Sequence, residues 1–195
     1  ASETSSHGSS PASAWASPQL HPSPTSSSQS TRRRTFCICW LAFLKRFIDD
    51  GLGIWLHDAD PSTDEANWSR FKSVVNAGGL TWEFSPRGKS VVFMDMTISI
   101  VHGRVQTALY AKPMNLYLYI PPHSAHAPGV LTGLVFGNVL RIYQLCSREE
   151  DVDRELILFM HRLLDRGYTV ERLQPLFAKA MANAKLHLPQ TQAQR

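Results

Sequence analysis

Apolar residues recur at regular intervals from about residue 35 onward, whereas the stretch before residue 31 has no such periodicity. Two short apolar runs, at 44–48 and 52–56, flank Asp49-Asp50-Gly51, the pattern of two antiparallel strands joined by a turn. Ser62-Thr63-Asp64-Glu65 has capping-box spacing, and Trp68, Phe71, Val74 and Val75 share one helical face before Gly78-Gly79. A helix over 63–77, packed beside the hairpin, is therefore predicted. Alternation of Leu80, Trp82 and Phe84 predicts a strand over 80–85, and that of Val92, Met94, Met96, Ile98 and Ile100 a strand over 91–101. Pro86-Arg87-Gly88 supplies the turn between them, and Val105, Thr107, Leu109 and Ala111 predict a further strand after Gly103.

The period then changes. Residues 113–128, with Pro121-Pro122, read as a loop, and a helix is predicted over 130–146. Ser147-Arg148-Glu149-Glu150 forms a second capping box, opening a helix that runs to Arg166 and stops at Gly167. Val152, Leu156, Phe159 and Leu163 make its core-facing stripe. A third, weaker helix over 169–184 contains Pro175, which would kink its first turns. The fold class is thus α+β, an antiparallel sheet with a packed helix followed by an all-helical part.

Composition refines this outline. In 195 residues there is room for one domain and a tail, and a 43% apolar content supports a core over the later three quarters. Residues up to about Thr31 are rich in Ser, Pro, Ala and Thr and cannot bury enough surface to offset chain entropy, so a disordered tail over 1–34 is predicted. That tail has neither the leading cations nor the apolar core of a secretory signal. Arg32-Arg33-Arg34 precede an apolar run over 36–44, far short of the ~20 residues a membrane helix needs. A net charge of +4 permits nucleic-acid binding without demanding it. Cys37, Cys39 and Cys146 form no zinc-like set, and their odd number argues against a disulfide framework, which points to a reducing intracellular setting, nuclear or cytoplasmic.

The hairpin carries the candidate chemistry. Two adjacent carboxylates at a strand-turn-strand tip suit Mg²⁺, which takes oxygen ligands and reaches proteins through one or two carboxylates plus substrate phosphates. Asp-Asp-Gly is equally a plain turn sequence, because Asp tolerates turns and Gly supplies positive φ.

Five features in order resemble a reverse transcriptase of the Penelope-like retroelement type. They are Arg46 to Trp55 around Asp49-Asp50; Leu80-Thr81-Trp82-Glu83-Phe84-Ser85; Val92-Phe93-Met94-Asp95-Met96-Thr97-Ile98-Ser99-Ile100; Tyr110-Ala111-Lys112-Pro113 with Asn115, Tyr117-Leu118-Tyr119 and Ser124-Ala125-His126; and Arg141-Ile142 with Leu145-Cys146-Ser147 and Leu164-Asp165-Arg166-Gly167-Tyr168. The resemblance implies a partial palm over 35–112, a connector and helical thumb over 113–188, and a short tail over 189–195. It also implies template-directed nucleotidyl transfer with two Mg²⁺ ions, an RNA template, a DNA primer and a dNTP. Asp49 would be the main metal ligand and catalytic carboxylate, with Asp50 its weaker partner. Arg46, Lys112, Tyr117, His126 and Arg141 are the candidate nucleic-acid contacts.

Each of these contacts has a plainer reading. Tyr117 and Tyr119 would stack on bases or simply be buried under the loop. His126 would touch a phosphate or fix the loop by a hydrogen bond, and a zinc site with His123 lacks the further ligands it needs. Lys89 and Lys112 are candidate proton donors or surface lysines. Arg141, Arg148, Arg162 and Arg166 would grip a backbone or merely form a solvated face. A working palm also needs an Asp on a neighbouring strand upstream, yet Glu3 is the only acid before Asp49. The implied polymerase is therefore expected to be inactive alone, as in a broken element or a truncated gene.

The alternative is a non-catalytic, helix-turn-helix-like nucleic-acid-binding remnant, or a relic without function. Against base readout by the second helix, Glu149, Glu150, Asp151 and Asp153 would repel phosphates at its start.

Overall fold

The computed structural model describes residues 40–187 and, as backbone alone, the strand Ala12–Ala16. The expected tails therefore lie mostly outside the described residues, as do Arg32-Arg33-Arg34, Cys37 and Cys39. An exception to the expected tail is that strand, β1 (Ala12–Ala16), which pairs antiparallel with β3 (Asp50–Leu56). On the other side of β3 lies β2 (Leu41–Phe47), giving the order β1-β3-β2, and helix α1 (Pro61–Asn76) follows. A second sheet has the order β4 (Ser90–Phe93), β5 (Met96–Val101), β6 (Arg104–Leu109). Three helices complete the chain: α2 (Val130–Leu145), α3 (Glu149–Asp165) and α4 (Val170–His187). The α+β class stands, with two small antiparallel sheets where a continuous one was expected. The chain divides into two compact units, Ala1–Phe93 with Ile98–Val105, and Met94–Thr97 with Gln106–Arg195.

In the first unit the core is aromatic. Trp55, Trp68 and Phe71 are buried, with Trp40, Leu41, Val75 and Phe84 packed around them. Trp55 meets Trp68 edge-on at 5.1 Å between ring centroids, a favoured arrangement for two ring quadrupoles. Beneath the rings lies one buried carboxylate. Asp64 accepts from Trp55 Nε1 at 2.9 Å, the Asp58 amide at 3.1 Å and Arg87 at 2.7 Å, and His57 Nδ1 stands 3.2 Å away. Burial alone would raise its pKa, but these donors outweigh burial and hold it at about 2.

The capping box at Ser62 does not cap α1. Asp60 is the N-cap, accepting from the Thr63 amide at 2.9 Å and from both the Ser62 and Thr63 hydroxyls at 2.6 Å. The helix thus starts at Pro61, whose missing N–H costs nothing in a first turn. Asp64, read from sequence as part of the cap, is instead the buried hub.

Residues 80–87 form no strand. The Trp82 amide donates to Asn76 Oδ1 at 2.7 Å, and Phe84 meets Trp68 at 5.3 Å, so the alternation there comes from rings inserted against α1 and β3. The expected long strand over 91–101 breaks at Met94-Asp95 into the β4–β5 hairpin, because Met94 takes φ +54° and reverses the chain.

In the second unit, Val135, Val139 and Ile142 of α2, the expected stripe of α3, and Leu173, Phe177, Ala180 and Ala184 of α4 share one core. Cys146 lies in it with its thiol pKa pushed up by burial. Helix α3 ends as expected at Gly167, with φ +95°. The Gly167 amide bonds to Leu164 O at 2.8 Å and the Tyr168 amide to Leu163 O at 3.3 Å, both bonds of a Schellman motif. The start of α3 differs from expectation. Its N-cap is Arg148, while Ser147 Oγ accepts from the Thr107 amide at 2.9 Å and so fastens the helix to β6. Helix α4 continues through Pro175.

The Asp64 hub yields a stability test. Asp64→Ala is expected to cost about 3 kcal/mol or more in urea denaturation, since it strands the Trp55 indole without its acceptor and leaves Arg87 with only its outer partner, Glu65 at 2.8 Å. The native pKa of about 2 lies below the ordinary 3.8, so the contribution of the carboxylate is complete above pH 4 and lost as pH falls through 2. The stability gap between parent and variant should narrow across that window.

Candidate nucleic-acid interface

Asp49 and Asp50 sit at the tip of the β2–β3 hairpin, as the sequence predicts. Phe47 pairs with Asp50, leaving a two-residue turn of Ile48 and Asp49. The positive φ belongs to Ile48, at +54°, and not to Gly51. A single positive φ at the first central position is the signature of a type II′ turn, and a β-branched residue there is strained by about 1–3 kcal/mol. Gly51 has another role. A Cβ on it would stand 3.0 Å from Trp82 Cζ3, so the absent side chain makes room for the indole. Arg46 braces the turn, donating from Nε to Ile48 O at 2.7 Å while its guanidinium lies 5.3 Å from the Trp82 ring centroid. Asp49 is exposed and Asp50 half-buried. Among the described residues no group of three or more His, Cys, Asp or Glu is gathered to hold a metal ion. Asp49 and Asp50 supply two adjacent carboxylates at this tip.

In the other unit a cavity of about 210 Å³ opens on the helical core. Lys112, Tyr117 and Arg141, three of the sequence-predicted contacts, line it together with Arg162. Its floor is buried Phe159 and Ile142, and Tyr119 meets Phe159 edge-on at 5.4 Å. Burial pushes the Tyr119 hydroxyl above its ordinary pKa. The Arg162 guanidinium lies 3.5 Å from the Tyr117 ring centroid, a close cation–π stack. Arg141 pairs with Asp95 at 2.7 Å, and Asp95 O in turn accepts from the Tyr110 amide at 2.8 Å.

A strained loop presents this wall. Tyr117 has φ +47°, its amide donating to Asn115 Oδ1 at 3.2 Å and its carbonyl accepting from the Tyr119 amide at 2.7 Å. Two bonds from beyond the loop fasten it, Arg166 Nε to Tyr119 O at 2.7 Å and the Tyr168 hydroxyl to Ile120 O at 2.9 Å. Arg166 thus serves the loop. Left-handed backbone at a bulky aromatic persists only where its surroundings dictate it, and such residues cluster at functional sites.

His126 is not among the lining residues; its Nδ1 stands 2.9 Å from Ser124 Oγ, the loop-fixing bond that was one of its two readings. Arg148 pairs with Glu150 and with Asp151 at 3.9 Å. Asn138 and Glu155 also line the cavity without having been singled out from sequence. A signal for Glu155 existed, because it falls three residues after Val152 and four before Phe159, on the apolar stripe itself. It is 8% exposed.

Residues 118–175 match the family model described as an animal helix-turn-helix domain. The match takes in the end of the loop, α2, α3 and the first turns of α4. No curated protein and no solved structure matches the chain. The helix-turn-helix likeness supports a nucleic-acid-binding role for the helical unit, though the acidic start of α3 remains, with Glu149 and Glu150 exposed and Asp151 paired to Arg154 at 2.7 Å. Cations cluster instead around the cavity. No helix among the described residues is long and apolar enough to cross a membrane.

Tyr168→Phe removes the bond to Ile120 O and is expected to cost about 1 kcal/mol. Hydrogen exchange should quicken at the amides of 117–120 while those of α3 keep their protection.

Proposed function

We propose that the helical unit binds nucleic acid through the cavity wall of Lys112, Tyr117, Arg141 and Arg162. The observation that carries this is their convergence on one opening in the unit where residues 118–175 match a helix-turn-helix model. Phosphate oxygens take up Lys and Arg contacts, and an aromatic ring capped by a guanidinium gives unpaired bases a stacking platform. Base reading by the start of α3 is disfavoured by Glu149 and Glu150, so binding is led by the backbone and by stacking. Fluorescence anisotropy with labelled RNA–DNA duplex and single strands tests it. Affinity is expected to fall steeply with salt, and Arg162→Ala to weaken single-strand binding by about 1–3 kcal/mol. Salt-independent binding, or full affinity in that variant, would count against the reading.

A second reading is favoured by the hairpin. A strained two-residue turn that carries adjacent carboxylates at a braced tip suits the palm of a Penelope-like reverse transcriptase, with RNA template, DNA primer and dNTP as partners and Mg²⁺ as cofactor. When bound, the metal ions would activate the primer hydroxyl and steady the leaving group. This chain's own part is to hold the Asp49 carboxylate at the tip through the Arg46 bond to Ile48 O. No acid but Glu3 precedes Asp49, so the further carboxylate such a site needs would come from outside this sequence. The isolated chain is expected not to extend a primer on an RNA template. Joined to fingers and an upstream palm from an intact relative, it should gain extension that Asp49→Asn abolishes. Extension by the 195-residue chain alone, or by the rebuilt enzyme carrying Asp49→Asn, would overturn this reading.

A further inference from the structure

Glu155 stands out within the cavity. It is 8% exposed, and among the described residues its one ion pair is with Arg154 Nε at 3.6 Å, beyond hydrogen-bond length. Arg154 is itself occupied at 2.7 Å by Asp151. The other anion of the lining, Asp95, is held by Arg141 at 2.7 Å. Glu155 therefore brings unspent acceptor capacity to an opening whose floor is Phe159 and Ile142 and whose wall is the Tyr117–Arg162 stack. A carboxylate only accepts, so the ligand that completes it must donate hydrogen bonds, and two side-by-side N–H groups on a flat edge match its two oxygens. At about 210 Å³ the space is below the ~300–1,000 Å³ of pockets for drug-sized ligands, which suits one ring system and not a stretch of chain.

Resting on the nucleic-acid reading above, we infer that this cavity receives one unpaired guanine of a single strand, with Glu155 accepting from its base-pairing edge. Guanine alone among the bases offers two adjacent donors there, N1–H and N2–H. Uracil and thymine set a carbonyl on either side of a single N–H, and adenine and cytosine pair one donor with an acceptor. Against a carboxylate, each of these leaves a repulsion or an unmet oxygen. The ring lies along the Tyr117–Arg162 wall, and Lys112 and Arg141 meet the flanking phosphates. Affinity from stacking is indifferent to the base. The preference for guanine comes from Glu155.

The test uses the full chain and short labelled strands of thymidine carrying a single central dG, dA or dC, read by anisotropy, with uridine-based RNA counterparts beside them. The dG strand should bind about tenfold more tightly than the all-thymidine strand, the scale of discrimination a good two-point base contact provides. Guanosine monophosphate should compete where uridine monophosphate does not, a comparison that needs no variant. Glu155→Gln replaces one acceptor oxygen with a donor, so the dG advantage should vanish and dA gain. Whichever series, DNA or RNA, has the larger guanine preference identifies the natural strand. Equal binding of all strands, or a dG advantage that survives Glu155→Gln, overturns this inference while leaving nucleic-acid binding intact. Failure to bind any strand overturns both.

Discussion

A carboxylate removed from water and satisfied by four neighbours organises the hairpin unit. Asp64 of α1 reaches β3 through Trp55, the β3–α1 connection through His57 and Asp58, and the irregular segment after α1 through Arg87. Arg87 also lies 4.9 Å from the Trp68 ring centroid and 5.8 Å from that of Trp55, so the same guanidinium that neutralises the acid roofs the aromatic core. A buried acid is costly to desolvate unless every lone pair is used. The position of β3, and with it the hairpin that carries Asp49, follows from meeting that demand.

Much of this was legible in the sequence wherever a period was sustained. Helices α2 to α4, the hairpin around Asp49 and strand β6 follow from apolar spacing, because long amphipathic faces leave little choice of structure. What escaped was decided by single contacts. Residues 80–84 alternate like a strand, yet Trp82 and Phe84 serve the core of α1 and β3, and the Trp82 amide spends its donor on Asn76 and not on a ladder. Both Ser-headed capping boxes have better-placed competitors, Asp60 for α1 and the bond to Thr107 for Ser147. Tertiary partners outrank local motifs in all these cases.

The interface divides along the same line. Lys112, Tyr117 and Arg141 are conspicuous as residue types, and the fold brings them together with Arg162. Glu155 is conspicuous only by position, a charge on an apolar stripe, and a stripe does not say whether such a charge faces a partner or a cavity. Arg46, chosen as a contact for the bound strand, spends its Nε donor on Ile48 O. Two hairpin turns also share a feature no composition rule anticipates, a large aliphatic residue at φ +54° followed by Asp, at Ile48-Asp49 and at Met94-Asp95. In each the turn raises an acid off the end of a strand pair, and in the second that acid holds Arg141.

The Schellman cap at Gly167 has a consequence for how this sequence can vary. Its two backbone bonds fix the chain's direction from Leu163 to Tyr168, and α4 begins at Val170, so the junction has almost no slack. A residue inserted there would have to break the cap or push the start of α4 along by up to about 3.5 Å, the reach of one residue. Leu173, Phe177 and Ala180, buried together in the core, would then lose their places as a set. The junction should therefore tolerate exchanges of side chain far better than changes of length. In any large collection of natural or randomised variants, gaps and insertions ought to be purged from 166–169.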